Sequence, residues 1–205
     1  MGSKPRVKVK IKYEAELDPE FARWATSVPG GERLRECIQC GACSGACPMS
    51  PAMDYTPRQL ISMVREGFKE EVLSSRTIWL CVSCYACTVE CPQGIELTEL
   101  MYALKERAVK EGLYLKGFPV PIYAQEFSAM VRAQGRSTEG LLVLRSELKL
   151  NPVRLLRQAP LGLRLLRRGR LPLRLPERVK DRRGFRAMLA ALRTRTGPER
   201  ASRAE

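Results

Sequence analysis

One cysteine motif occurs twice in this chain and uses all eight of its cysteines. The first copy runs from Cys37 to Pro48 and the second from Cys81 to Pro92, and both read C-x2-C-x2-C-x3-C-P. Two residues between successive cysteines allow a tight loop to direct three thiolates at one metal cluster, while the fourth cysteine points elsewhere. This is the spacing of loops that bind [4Fe–4S] cubes. The motif therefore predicts two iron–sulfur sites.

The proline-terminated form of the motif also predicts how the cysteines are shared. In proteins with two such clusters, the fourth cysteine of each run binds the other cube. We therefore expect one cluster on Cys37, Cys40, Cys43 and Cys91, and a second on Cys81, Cys84, Cys87 and Cys47.

Zinc and disulfides are the alternative uses of these cysteines. Structural zinc typically takes two C-x2-C pairs, often with histidine, whereas here the cysteines form two sets of four and the chain has no histidine. Disulfide frameworks belong to small secreted domains. The start MGSKPRVKVK has charges but no apolar segment of a secretory signal, so we expect a reducing, cytoplasmic compartment. The doubled motif favours iron–sulfur clusters over both.

Positive charge is concentrated at the C-terminal end of the chain. Of the formal net charge of +14, residues 151–205 contribute 16 Lys and Arg against 4 Asp and Glu, or +12, which leaves +2 for residues 1–150. Such charge fits an acidic protein subunit, an anionic membrane or nucleic acid. Prolines interrupt any long amphipathic helix, no nucleic-acid recognition motif is present, and no run reaches the ~18 apolar residues of a membrane span. We favour docking to an acidic partner subunit, with no nucleic acid and membrane contact solely through a partner.

Local patterns predict a mainly helical fold with one short strand. Alternating β-branched and lysine residues from Arg6 to Tyr13 predict the strand. Asp18 is a good N-cap for a helix that starts at Pro19 and ends before Pro29-Gly30-Gly31. Thr56 and Gln59 form a capping box for a helix that stops at Gly67.

Further helices are predicted on both sides of the second cysteine run. One leads through Trp79, a core aromatic, into Cys81, and another follows an apolar stripe from Leu97 to Ala108 and closes at Gly112. Residues 118–122 (FPVPI) read as a turn or extended connector. The remaining predictions are helices at Gln125–Arg132, Glu139–Leu148 and Gly184–Leu192, short pieces broken by Pro160, Pro172 and Pro176, and a disordered tail from Thr194.

These patterns divide the chain into four regions. We expect an N-terminal strand and helix in residues 1–33, a helical two-cluster domain in 34–116, a helical, basic docking extension in 117–193 and a tail in 194–205.

The small residues Gly41, Ala42, Gly45, Ala46 and Ala86 either let backbone N–H groups approach the sulfurs or satisfy the sterics of a tight loop.

The assembled motifs resemble the C subunit of heterodisulfide reductase and its relatives in Hdr-like complexes. The resemblance runs from Glu16-Leu17-Asp18-Pro19 through the first cysteine run and the string MDYTPRQL at residues 53–60. It continues over Trp79-Leu80-Cys81 and Cys91-Pro92 to the string GLRLLRRGRLPL at residues 162–173. The cysteine runs alone also occur in iron–sulfur subunits of quinone-linked succinate and glycerol-3-phosphate dehydrogenases, which remain the alternative class.

The resemblance implies a fold and a role. It implies an α-helical ferredoxin-like subunit with two [4Fe–4S] clusters, which relays electrons between a flavin-containing A-type subunit and a B-type subunit with CCG motifs. This sequence contains no CCG motif and no flavin fingerprint. We therefore expect a non-catalytic electron-transfer subunit of an oxidoreductase complex, with no catalytic residues of its own.

Overall fold

The computed structural model describes residues 12–115, 117–170 and 178–195. Within these ranges the chain is helical and contains no strand, which confirms the mainly α prediction. The predicted strand lies outside the described residues except for its last two positions, of which Tyr13 precedes a short 3-10 turn at Glu14–Glu16. The chain divides into two compact units, Met1–Lys116 and Gly117–Glu205. None of the helices in the described ranges combines the length and hydropathy that a membrane-spanning segment requires.

The first unit contains seven α-helices within the described residues. They are α1 (Pro19–Ser27), α2 (Ala42–Gly45), α3 (Pro57–Glu66), α4 (Lys69–Ser74), α5 (Thr77–Leu80), α6 (Ala86–Val89) and α7 (Leu97–Glu111). The second unit contains α8 (Pro119–Gln134), α9 (Glu139–Leu150), α10 (Pro152–Arg167) and α11 (Arg182–Arg195).

Helix α1 begins as its cap predicts. The Asp18 carboxylate accepts a hydrogen bond from Phe21 N at 3.0 Å, and Pro19 occupies the first helical position, where no N–H is needed. Phe21 and Trp24 stack with their ring centroids 5.6 Å apart, and the Arg107 guanidinium of α7 lies 4.2 Å from the Trp24 centroid. The aromatic face of α1 therefore anchors α1 against α7.

Helix α3 is stopped by a residue that also joins it to α1. Its N-terminus has the predicted capping box, in which Thr56 N donates to the Gln59 side chain at 2.9 Å. Gly67 then turns left-handed at φ 87°, and its carbonyl accepts a hydrogen bond from Asp18 N at 3.0 Å. A Cβ at Gly67 would lie 2.6 Å from the Asp18 carbonyl oxygen, so the close approach of the two segments requires glycine.

The first unit repeats itself beyond its cysteines. Helices α3 and α7 each follow one cysteine run, and each buries its fourth, fifth and eighth residues. These residues are Leu60, Ile61 and Val64 in α3, and Leu100, Met101 and Leu104 in α7. The fold is thus two loop-and-helix halves that share one apolar core, and Trp79, 9% exposed, belongs to that core as predicted.

The second unit corrects two predictions about proline. Helix α8 includes the expected connector, because Pro119 and Pro121 occupy its first turn, where backbone N–H groups have no partner within the helix. Helix α10 continues through Pro160, although proline removes one hydrogen bond there. The predictions for Pro172 and Pro176 lie outside the described residues.

The end of the chain is helical slightly further than predicted. Helix α11 extends to Arg195, so the expected tail at Thr194 starts too early, and residues 196–205 lie outside the described residues. The backbone of Val179, just before α11, donates to the Gln134 carbonyl at the end of α8 at 2.9 Å.

Polar groups contribute much of the interior of the second unit. Helices α8 and α9 pack together and bury Met130, but also two glutamates. Glu126 pairs with Lys149 at 2.5 Å, and Glu147 accepts a hydrogen bond from the Tyr123 hydroxyl at 3.0 Å. The leucine-rich helix α10, in contrast, has no buried residue.

Candidate metal centre

The two cysteine loops have the same backbone conformation. The first cysteine of each run, Cys37 or Cys81, is extended with φ and ψ of −62° and 115° or −63° and 115°. The residue before each second cysteine is left-handed, with φ 58° at Gln39 and 56° at Ser83. The residue after it is left-handed again, at φ 87° for Gly41 and 60° for Tyr85.

This repeated conformation is strained. In the described residues, Gln39, Ser83 and Tyr85 are the non-glycine residues with positive φ, and all three lie in the cysteine loops. A left-handed non-glycine residue costs about 1–3 kcal/mol and persists where its surroundings require it. The surroundings of both cysteine loops therefore hold the same left-handed backbone turns.

Three cysteines of the first run and two of the second line one cavity. It encloses about 20 Å³, and Arg58, Ile61 and Ile95 are among its lining residues. The cysteines that line it are Cys37, Cys40, Cys43, Cys87 and Cys91. The structure thus brings the third and the last cysteine of the second run to the first three cysteines of the first run.

Cys43 and Cys87 are at the junction of the two loops. Burial raises the pKa of the Cys43 thiol, and a hydrogen bond with Ser44 opposes this. The neighbouring Cys37, Cys87 and Cys40 raise this pKa further. Helices α2 and α6, which carry the two thiols, pack against each other, so the two sites are adjacent.

Cys87 also has cysteines from both runs close to it. Burial raises the pKa of its thiol, and hydrogen bonds with Thr98 and Thr88 oppose this. Cys81 and Cys47 raise the same pKa electrostatically, which places Cys47, the last cysteine of the first run, near the second run.

Among the described residues, no group of three Cys, Asp or Glu side chains has the close spacing that a single metal ion requires.

Hydrogen bonds to the sulfurs come from both side chains and backbone. Gln39 Nε2 donates to Cys37 Sγ at 3.4 Å, and Ile95 N donates to Cys91 Sγ at 3.4 Å. The Thr98 hydroxyl lies 3.6 Å from Cys87 Sγ. Donors of this kind stabilise negative charge on sulfur, whether on a free thiolate or on one that binds iron.

Two long cations contact the loops in equivalent ways, and the sequence patterns did not reveal them. Arg65 Nη1 donates to the carbonyl oxygen of Cys37 at 2.9 Å, and Lys105 Nζ donates to that of Cys81 at 3.1 Å. Each is the ninth residue of its helix, α3 or α7. Burial lowers the pKa of Lys105, and the nearby Cys81 raises it. The sequence feature that could have revealed the pair is the shared spacing of apolar residues in α3 and α7, which puts the two cations at equivalent positions.

Comparisons with known proteins agree with this arrangement. Residues 33–95 match the family model described as a 4Fe-4S dicluster domain. The C subunit of the H(2):CoB-CoM heterodisulfide,ferredoxin reductase of Methanothermobacter marburgensis is 33% identical over 102 residues, 50% of this chain and 55% of that protein. The C subunit of the Ferredoxin:CoB-CoM heterodisulfide reductase of Methanosarcina acetivorans is 37% identical over 94 residues, 46% of this chain and 38% of that protein.

Over its cluster domain this chain is similar to C subunits of heterodisulfide reductases, and the family model that matches there describes a 4Fe-4S dicluster domain. A third relative, from Archaeoglobus profundus, is named as a protein like the C subunit of heterodisulfide reductase. It is 34% identical over 101 residues, 49% of this chain and 53% of that protein. The chain spans about half the length, or less, of these curated relatives.

The donor set fits the cofactor of this family. Eight cysteines in two matched loops can supply the thiolates that two [4Fe–4S] clusters need, and cysteines of both loops line one cavity. The predicted resemblance to heterodisulfide reductase C subunits and the predicted pair of [4Fe–4S] clusters are therefore confirmed by the matched domain and by the relatives of this chain.

Proposed function

We propose that this chain is the iron–sulfur electron-transfer subunit of a heterodisulfide reductase-like complex. It relays single electrons between a flavin-containing A-type subunit and a B-type subunit with CCG motifs. The observation that carries the proposal is the pair of adjacent cysteine loops of equal conformation, in a domain whose relatives are named as C subunits of heterodisulfide reductases.

The chain's own residues would serve this role by holding the clusters and by keeping water away from them. When bound, [4Fe–4S] clusters supply one-electron redox chemistry. The thiolates would hold the irons, the hydrogen bonds from Gln39 and Ile95 and the contact with the Thr98 hydroxyl would stabilise sulfur charge, and the apolar core would keep water from one side of the loops. Such a relay needs no acid, base or nucleophile from the protein.

The ligand sets are part of the proposal. We assign one cluster to Cys37, Cys40, Cys43 and Cys91, which line one cavity together with Cys87 of the other set. We assign the other cluster to Cys81, Cys84, Cys87 and Cys47, supported by the electrostatic proximity of Cys81 and Cys47 to Cys87. Exchange of the fourth ligands would tie each cluster to both loops, which would keep the electron-transfer distance short.

The second unit offers a surface for an acidic partner subunit. Helix α10 contains four arginines and no acidic residue, and several of its leucines are uncovered, with Leu156 73% and Leu161 58% exposed. Exposed leucines flanked by arginines suit an interface whose centre is apolar and whose rim carries carboxylates. We propose that α10 docks this chain into its complex.

Co-expression with candidate A-type and B-type subunits tests the function. The tagged chain is expected to retain both subunits, and rapid mixing is expected to show its clusters reduced by the A-type flavin and reoxidised by the B-type subunit. Retention of a membrane anchor instead, with electron transfer to quinone, would overturn the proposal. The relatives of this chain favour the first outcome over the quinone-linked alternative.

A further inference from the structure

Arg65 and Lys105 place one positive charge beside each cysteine loop. Their contacts are equivalent: each donates from the ninth residue of its helix to the carbonyl oxygen of the first cysteine in its own run, at 2.9 Å and 3.1 Å. Both side chains are half-buried. The two halves of the unit therefore place a cation at the same position with two different residue types.

Neither cation is used in an ion pair in the described parts of the chain. No carboxylate there lies within 4.0 Å of Arg65 or Lys105, whereas Arg76 pairs with Asp54 at 2.6 Å and Lys69 with Glu111 at 2.9 Å. A half-buried cation without a carboxylate is costly unless negative charge lies close by. The thiolates of the adjoining run, and a cluster held by them, provide that negative charge.

We propose that Arg65 and Lys105 each raise the reduction potential of the cluster held by the run that they contact. The proposal rests on the proposed electron-transfer function. Reduction adds one negative charge to a cluster, so a neighbouring cation stabilises the reduced state more than the oxidised state. Partial burial limits screening by water and salt. Neither residue binds iron, and both act on the reduction potential through their fixed positive charge.

Other charged groups at the two loops differ between them. At the first loop, Arg58 lines the cavity, and the exposed Arg33, which pairs with Glu36, acts electrostatically on Cys91. At the second loop, Glu99 accepts a hydrogen bond from the Tyr85 hydroxyl at 2.9 Å. Because these groups are unchanged in the variants below, a shift in potential reports the substituted cation.

A redox titration of the isolated, cluster-loaded chain, followed by EPR, tests the proposal. The variants Arg65→Gln and Lys105→Gln retain an amide donor but remove the charge. Each is expected to make reduction of one cluster about tenfold less favourable, a midpoint about 59 mV more negative for one electron. The two variants are expected to move different midpoints, and the double variant both.

Charge-preserving variants provide the matched comparison. Arg65→Lys and Lys105→Arg are expected to keep both midpoints, as is Lys110→Gln, which removes an exposed α7 cation that pairs with Glu106. Unchanged midpoints in the glutamine variants would overturn the proposal, as would equal shifts in the charge-preserving variants. Partner subunits are absent from this titration, so a failure to assemble a complex cannot produce either result. A wild-type chain without two reducible clusters would instead refute the proposed function.

Discussion

Gln39 and Ser83 occupy the same place in the two cysteine runs and have nearly the same left-handed backbone, at φ 58° and 56°. A β-branched side chain at this conformation is strongly disfavoured. We expect Gln39→Val and Ser83→Val each to destabilise its loop by about 1–3 kcal/mol. Iron content and thermal unfolding of the loaded protein measure the effect.

Glycine at the same positions provides the control for that prediction. Ser83→Gly adopts the left-handed backbone without a Cβ, so it is expected to keep its iron. Gln39→Gly also loses the hydrogen bond to Cys37 Sγ, so it is expected to lose less iron than Gln39→Val, which lacks the same bond. Ile38→Val, at an exposed residue of the first loop, is also expected to be neutral. Equal iron loss in the glycine and valine variants would show that the backbone conformation is unimportant.

Gly67 and Gly112 end α3 and α7 with similar left-handed backbones, at φ 87° and 67°, but in different surroundings. A Cβ at Gly67 would lie 2.6 Å from the Asp18 carbonyl oxygen, whereas one at Gly112 meets nothing within 4 Å. Gly112→Ala is expected to cost about 1 kcal/mol from backbone strain alone. Gly67→Ala is expected to cost at least about 1–3 kcal/mol more, because the α1 contact must open. Chemical denaturation compares the two, and equal losses would contradict the α1 contact.

Helix α10 carries exposed arginines in the second unit, far along the chain from the cysteine loops. The triple variant Arg157→Glu, Arg164→Glu and Arg167→Glu is expected to weaken capture of the acidic partner subunit by at least about tenfold. Its cluster content and EPR spectrum are expected to match the wild type. Reversal of Arg23 and Lys110, which are exposed in the first unit, is the control. Undiminished capture by the triple variant, or loss of binding in the control alone, would exclude α10 as the docking helix.

Sequence patterns predict this fold best where the controlling interaction is local. The Asp18 cap, the Thr56–Gln59 capping box and the stop at Gly67 each depend on residues within one helical turn, and the structure contains each of them. The two-cluster cofactor follows from cysteine spacing, which is also local. The predicted break at Pro160 is wrong, because the remaining hydrogen bonds of α10 carry the helix past the one that proline removes.

Contacts between distant segments are not predictable in the same way. The hydrogen bonds of Arg65 and Lys105 span 28 and 24 residues, and neither residue type signals a loop contact. The predicted connector at Pro119 and Pro121 is wrong because a helix tolerates proline in its first turn, and no side-chain cap marks where α8 starts. The equivalence of α3 and α7 becomes visible when their buried positions are compared directly.

The exchange of fourth ligands is tested by the pair of variants Cys47→Ser and Cys91→Ser. The wild-type chain, purified anaerobically, is expected to contain about eight irons and to show two interacting reduced cubes by EPR. The midpoint potential that shifts in Arg65→Gln is assigned to the cluster of the first run. The midpoint potential that shifts in Lys105→Gln is assigned to the cluster of the second run.

The decisive measurement is the EPR redox titration of each serine variant in these marked backgrounds. We predict that Cys91→Ser perturbs the midpoint marked by Arg65→Gln, and that Cys47→Ser perturbs the one marked by Lys105→Gln. The exchange would be contradicted if Cys47→Ser perturbed the midpoint of the first-run cluster and Cys91→Ser that of the second-run cluster. A wild-type chain that contains zinc and shows no reducible signal would contradict the account as a whole.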